Sequence, residues 1–274
     1  MGPESASTPV AVLAVGGIDP TGGAGLTVDI GFLTHLGARV GTVVTALTVQ
    51  DDDAVTRVEP VADDLFEQQL DAAARTLSPL VGAVKTGLIA GRRQAEAVAR
   101  LARRRGWPLV VDPLLVAGTG ESFLGESGPR TLAPLVEGAA VVTPNLHEAE
   151  LLSGMAWDRT ESGLLAMATA IGGGRRIVAV SGGHAGGDTV PLAIAGPGVG
   201  RVVHALRRRG VSTHGTGCAL AASTAGLIAL GRPPAEAVCE AHELVARAIR
   251  EAPEVPGRRL SPSPPTGPRG ASGA

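Results

Sequence analysis

Residues 211–230 read VSTHGTGCALAASTAGLIAL. The first part is polar and glycine-rich; the remainder is Ala, Leu, Ile, Ser and Thr with helical character. Thr213-His214-Gly215-Thr216-Gly217-Cys218 therefore stands where a helix begins. The first turn of a helix leaves N–H donors without intrahelical partners, and its dipole adds about half a positive charge at that end. Glycines at 215 and 217 leave those donors uncovered, so the turn is a cradle for a phosphate or another oxyanion. The helix is apolar nearly all round, which predicts burial and a rigid cradle. Cys218 falls in the first turn, where the same field is expected to lower a thiol pKa.

Outward from this stretch, the chain alternates between strand and helix signals. Val10–Val15 reads as a buried strand, and the glycine-dense loop Gly16–Gly25 leads into a helix ending near Leu36. Strands follow at Val40–Thr48 and, as a short edge strand, at Val55–Val58, then a helix over Asp63–Leu77 with Asp63 as its cap. Val81–Lys85 is a strand, Arg92–Arg105 a helix and Leu109–Val111 a strand. A loop over Gly118–Gly128 and a short helix near Pro129–Val136 precede a strand at Ala139–Val142. Helix Thr160–Ile171, strand Arg176–Val180, loop Ser181–Asp188 and strands Val190–Ala195 and Arg201–His204 lead to the opening stretch. Pro233–Arg250 is a last amphipathic helix. Alternation of this kind implies right-handed crossovers and a mainly parallel sheet with helices on its faces. Polar residues gather just after the strands, at Asp19, Gln50, Lys85, Asp112, Asn145, Glu148 and Ser181. In such sheets ligands bind beyond the carboxyl ends of the strands.

Composition sets the outer bounds. A chain of 274 residues fits one large domain, read here as residues 10–252 between a flexible N-terminus (1–9) and a disordered Pro/Arg/Ser/Gly tail (253–274). Aromatics are 2% and Tyr is absent, so the core must be Ala, Val and Leu. A net charge of −2 offers no bulk basic field for nucleic acid. Two cysteines make no disulfide framework, and no apolar run has membrane-spanning length, so a cytoplasmic protein is expected.

Each signal has a bland reading as well. Gly16–Gly25 matches neither G-x-G-x-x-G nor a Walker A spacing, and by itself says little. Lys85 is the only lysine; it is read as a solvated strand-end residue, with direct phosphate contact as the alternative. Asp112 followed by Pro is also ordinary turn chemistry. His214 and Cys218, four apart, lack a third group to orient a hydrolytic pair. Asp51–Asp53 reads as a solvated loop, His35, His147 and His242 as residues without chemistry, His184 as structural, and Cys239 as a packing residue.

In their order, GGIDPTGGAGLTVDI, TALTVQD, VKTGL, VVDPLLVAGTG, VTPNLHEAELL, SGGH and STHGTGCALAAS resemble the hydroxymethylpyrimidine/phosphomethylpyrimidine kinases of thiamine synthesis. The resemblance implies a ribokinase-like three-layer sandwich with a mainly parallel central sheet flanked by helices. It implies ATP with Mg2+, phosphorylation of 4-amino-5-hydroxymethyl-2-methylpyrimidine and then of its monophosphate, and a homodimer. By resemblance, Gly17, Ala24, Asp29 and Gln50 contact the pyrimidine, and Leu88 and Leu114 wall it. A carboxamide such as Gln50 both donates and accepts, which suits an aminopyrimidine edge. Asp112 and Glu148 resemble the magnesium-holding acids, and Asn145 a phosphate-facing position, with Ser181 and Thr213 beside the nucleotide. Gly215, Thr216, Gly217 and Cys218 resemble the catalytic anion hole. Ser181 and Gly118 stand where relatives carry lysine, which removes positive charge near the nucleotide. Two alternatives follow: a pyridoxal-type kinase, and a pyrimidine-binding protein with weakened catalysis.

Overall fold

The chain builds a nine-stranded sheet whose order follows the sequence with a single reversal: β3-β2-β1-β4-β5-β6-β7-β8-β9. The structure is a computed structural model and describes residues 10–116, 123–183, 186–253 and 259–265. The strands are β1 (Ala11–Ile18), β2 (Arg39–Gln50), β3 (Val55–Pro60), β4 (Val81–Thr86), β5 (Leu109–Val111), β6 (Val141–Val142), β7 (Ile177–Ser181), β8 (Thr189–Gly196) and β9 (Val199–Leu206). β2, β1, β4, β5, β6 and β7 pair in parallel. β3 closes one edge antiparallel to β2, and β8 and β9 extend the other as antiparallel additions.

The period of β1 shows how the layers form. Leu13 and Val15 point into one core with Phe66, Val98 and Leu132, while Val12 and Ala14 point into the other with Phe32, Leu220 and Ala222. A strand buried on both faces has to be apolar throughout, which is why residues 10–15 carry no polar alternation. One face is covered by α2 (Asp63–Leu77), α3 (Arg92–Arg105), α4 (Gly128–Gly138), α5 (Leu146–Ser153) and α6 (Glu161–Gly172). The other is covered by α1 (Gly25–His35), α7 (Thr216–Ala229) and α8 (Pro234–Glu251). Small residues let these elements approach closely; Ala219, Ala221, Ala222 and Ala225 of α7 are fully buried.

The chain leaves the centre of the sheet in two directions, with β2 on one side of β1 and β4 on the other. Such a divergence opens a crevice at the carboxyl ends of the two strands. The loop from Gly16 to Gly25 and the Thr86–Leu88 turn fill its walls.

Four local expectations need correction. Ala62, not Asp63, is the N-cap of α2; Asp63 sits in the first turn and pairs with Arg93 at 3.2 Å. The strand expected over 139–142 is only Val141–Val142. The reading left α5 out, although Asn145 and Glu148 close a reciprocal capping box at its start, a spacing visible in the sequence. The tail is not structureless where it is described: Leu260 is buried and forms a parallel bridge with Thr213. The Leu260 N–H donates to the Ser212 carbonyl (2.8 Å), and the His214 N–H donates to the Leu260 carbonyl (3.0 Å). Average composition hid this anchor, because Leu260, the buried Pro262 and Pro265 and two backbone hydrogen bonds are enough to dock a short segment. Residues 1–9, Gly118, His184 and the rest of the tail beyond residue 265 lie outside the described residues.

Candidate active site

Every site residue that the resemblance implied lines one cavity of ≈ 270 Å³ at the β1/β4 divergence. Gly17, Ala24, Asp29, Gln50, Leu88 and Leu114 are there, with Asp112, Asn145, Glu148 and Ser181, and with Thr213 through Cys218. Phe123 and Val116 add apolar wall, and Arg259 of the tail joins them.

The opening turn is built by close approach. Gly215 caps α7 at φ +77°, and a Cβ there would collide with the Gly23 carbonyl oxygen. The first helical bond of α7 is donated by Ala219 to the Gly215 carbonyl (3.0 Å). The amides of Thr216, Gly217 and Cys218 therefore precede the helical ladder and face the cavity as an anion cradle. The N–H of Gly25, the first residue of α1, is turned toward the Cys218 sulfur and favours its anion, so two helix N-termini converge on the thiol. The adjacent polar wall is tied together: Asp19 accepts from the Thr21 amide and hydroxyl at 2.8 Å each, and its other oxygen lies 3.2 Å from His214 Nε2. Gln50 Nε2 lies 3.4 Å from the same ring nitrogen. Gln50 thus reaches the cavity from the end of β2 with its carboxamide held by a neighbour.

Beneath the cradle sits a buried charge cluster. Lys85 and Asp29 are both fully buried and pair at 2.8 Å. This overturns the solvated strand-end reading of Lys85, since its alternating position on β4 turns it inward. Burial opposes the Lys85 ammonium, but Asp29, helped by Cys218 and Asp112, leaves its pKa raised. Burial lifts Asp29 to about 6 against the pull of Lys85. Asp112 is raised by burial, with Lys85 and the facing Cys218 thiol acting in the other direction. Glu148 is raised well above its ordinary value by burial and by the Asp112 charge. Cys218 is pushed up to about 12, mainly by burial, although Lys85 and the Gly25 amide act against it. The expected lowering by the helix field is therefore reversed: the thiol is 6% exposed among apolar residues, and desolvation outweighs the field.

The two carboxylates fit a divalent cation. Asp112 Oδ2 is buried with no hydrogen-bond partner, and each acid pays for burial of its charge, which a cation would relieve. Glu148 is oriented by the Asn145 amide (2.9 Å to Oε2) and the Leu115 amide (3.3 Å to Oε1). Among the described residues no three His, Cys, Asp or Glu side chains form a closed cage. Two carboxylates open to a cavity match Mg2+, which keeps waters and shares itself with substrate phosphates. Asn145, beside Glu148, lies next to Ser181 in a parallel bridge, and both line the cavity.

The model of the family described as phosphomethylpyrimidine kinase matches residues 19–262. The chain belongs to this family. It is 38% identical over 246 residues to the hydroxymethylpyrimidine/phosphomethylpyrimidine kinase of Rhizobium meliloti strain 1021, covering 88% of this chain and 90% of that one. The kinase of the same description from Streptomyces coelicolor is 34% identical, covering 90% and 91%. Among solved structures, the pyridoxal kinase from Staphylococcus aureus in complex with AMP-PCP and pyridoxal superposes with a TM-score of 0.83 at 27% identity, covering 93% of each chain. The α/β sandwich is thus ribokinase-like, as the resemblance implied.

Two cationic cavity residues are not where the sequence reading puts them. Lys85 was placed in solvent, and only the fold reveals its partner 56 positions away. Arg259 was assigned to a disordered tail; no local pattern marks it, because its placement depends on Leu260 pairing with Thr213.

Proposed function

We propose that this kinase transfers the γ-phosphoryl of ATP to the hydroxymethyl oxygen of 4-amino-5-hydroxymethyl-2-methylpyrimidine, and then to the resulting monophosphate, in thiamine biosynthesis. The observation that carries the reading is the meeting, in one cavity, of the Gln50 carboxamide and the first turn of α7, with His214 between them at 3.4 Å from Gln50 Nε2. One pairs with an aminopyrimidine edge, and the other holds a phosphoryl group. Family membership and the descriptions of the relatives agree with it.

Phosphoryl transfer asks for positioning and charge neutralisation. Asp112 and Glu148 would hold Mg2+, which neutralises phosphate charge. The Thr216–Cys218 amides stabilise the equatorial oxygens of the moving group, and Asn145, Ser181 and Thr213 line the nucleotide side. Gly17, Ala24, Asp29, Leu88 and Leu114 shape the pyrimidine side. Cys218 meets the substrate hydroxyl as a thiol at neutral pH. Its S–H faces Asp112, so the sulfur can accept a hydrogen bond from the substrate hydroxyl and position it without taking its proton. Both cysteines are free thiols, which suits the reducing cytoplasm. A homodimer is proposed across the β2–β3 edge, where Leu47 and Val49 are 54% and 57% exposed.

Gln50→Leu tests the reading. It should raise the Michaelis constant for the pyrimidine by about 10–100-fold, the cost of an unpaired polar edge, and leave that for ATP nearly unchanged. An unchanged pyrimidine constant sinks the pocket assignment. The superposition on a pyridoxal-bound kinase supports pyridoxal as a second substrate class, so the same assay is run with pyridoxal; binding of the pyrimidine without turnover identifies the weakened-catalysis alternative.

A further inference from the structure

The lining of the cavity is unbalanced in charge. Asp19, Asp29, Asp51, Asp112 and Glu148 contribute carboxyl groups, whereas the permanent cations among the described lining residues are Lys85 and Arg259. Lys85 is committed to Asp29 at 2.8 Å with both side chains fully buried. Arg259 forms no hydrogen bond or ion pair with a described residue, so its guanidinium is the uncommitted positive group of the described lining.

Other arginines close in sequence to the α7 turn are occupied. Arg207 donates to the carbonyls of Gly183 (2.7 Å), Gly187 (3.1 Å) and Thr189 (3.4 Å), and thereby braces the loop after β7. Arg208 caps the end of α8 through the carbonyls of Ile249 (2.8 Å) and Ala252 (2.6 Å), and Arg209 pairs with Asp188. None of the three lines the cavity. Arg259 is held where it is by its neighbours. Leu260 is buried and hydrogen-bonded on both sides to the Ser212–His214 segment, and a Cβ on Gly23 would lie 2.9 Å from Ser261 Oγ. The backbone carrying Arg259 is therefore fixed against the segment 212–214 that leads into the anion turn.

We propose that Arg259 is a phosphate-binding residue, the side chain through which the docked 259–265 segment contributes to the site. It rests on the kinase reading above. A guanidinium meets phosphate oxygens with two parallel donors and stays charged at every working pH. The ligand is a phosphate ester or anhydride, and its source is either the phosphate chain of ATP or the phosphate of the pyrimidine monophosphate.

The experiment measures dissociation constants by calorimetry, in the full chain, for AMP-PNP, for the pyrimidine monophosphate and for the uncharged hydroxymethylpyrimidine. Arg259→Gln should weaken one of the two phosphate ligands by about 10–100-fold, and the one affected names the source. The uncharged pyrimidine should bind as in the wild type. Arg259→Lys, a point charge without the fork, should recover part of the loss. An Arg259→Gln variant with an unchanged melting temperature and both phosphate ligands within about twofold of wild type overturns the proposal. A wild-type chain that binds AMP-PNP yet never phosphorylates the pyrimidine overturns the kinase reading instead, and the AMP-PNP arm still decides Arg259.

Discussion

Cys218 carries two opposed physical effects on one sulfur. The N-termini of α1 and α7 and the Lys85 ammonium favour a thiolate, while near-complete burial favours the thiol, and burial wins, lifting the pKa from 9.0 to about 12. An anion disfavoured by the fold adds stability that is fully present below about 9 and is lost as the pH rises toward about 12. In a Cys239→Ser background, iodoacetamide at pH 8 should label folded protein about 10³-fold more slowly than urea-unfolded protein. Equal rates would refute the buried-thiol account. Cys218→Ala leaves the backbone donors in place and should lower kcat by about 10²–10³, the loss typical of one well-placed group at such a site, with little change in ligand affinity. Near-wild-type turnover would remove the side chain from the reaction. The position of Cys218 was legible, because a Gly-rich turn opening an apolar helix is a local pattern. Its protonation was not, since that depends on atoms contributed by β4, β5 and α1.

At the scale of elements, Asp29 and Lys85 bind the inner face of α1 to strand β4, across the divergence that makes the cavity. A buried pair is costly to break one-sidedly, because the survivor is left uncompensated. Asp29→Asn should therefore lower unfolding free energy by about 3–5 kcal/mol, measured by urea denaturation. The double variant Asp29→Asn/Lys85→Met, which removes both charges and keeps the volume, should recover most of it. A single variant as stable as wild type would show that the pair does not join the two elements. Sequence periodicity marked α1 and β4 well, and the run of apolar residues in α7 predicted its burial. It missed the tie between them, because alternation tells which residues of β4 point inward but not what waits there. The start of α5 failed for the opposite reason: its capping box was local and readable, but the short helix has too few turns to show a period.

At the scale of the molecule, the alternation of strands and helices was enough to give the parallel sheet and its two helical layers. The docking of residues 259–265 was not, since a bridge between Thr213 and Leu260 leaves no trace in composition. The outer face of the β2–β3 edge leaves Leu47 and Val49 largely uncovered, an apolar surface of the kind that marks association. If the proposed dimer forms across this edge, Leu47→Glu should sediment as a monomer in sedimentation velocity with its melting curve little changed; a wild-type chain that sediments as a monomer removes the proposed interface. The strand order has a further meaning for how the protein is made. β4 joins the free edge of β1, and from β5 to β9 each strand lies beside its predecessor in the chain, so a polypeptide emerging from the ribosome offers every new strand an edge already in place. The cradle at 215–218 and the Arg259 segment emerge after all nine strands. A nascent chain can thus be mostly folded and still lack the proposed phosphate site, and on that assignment nucleotide binding is the last property that synthesis confers.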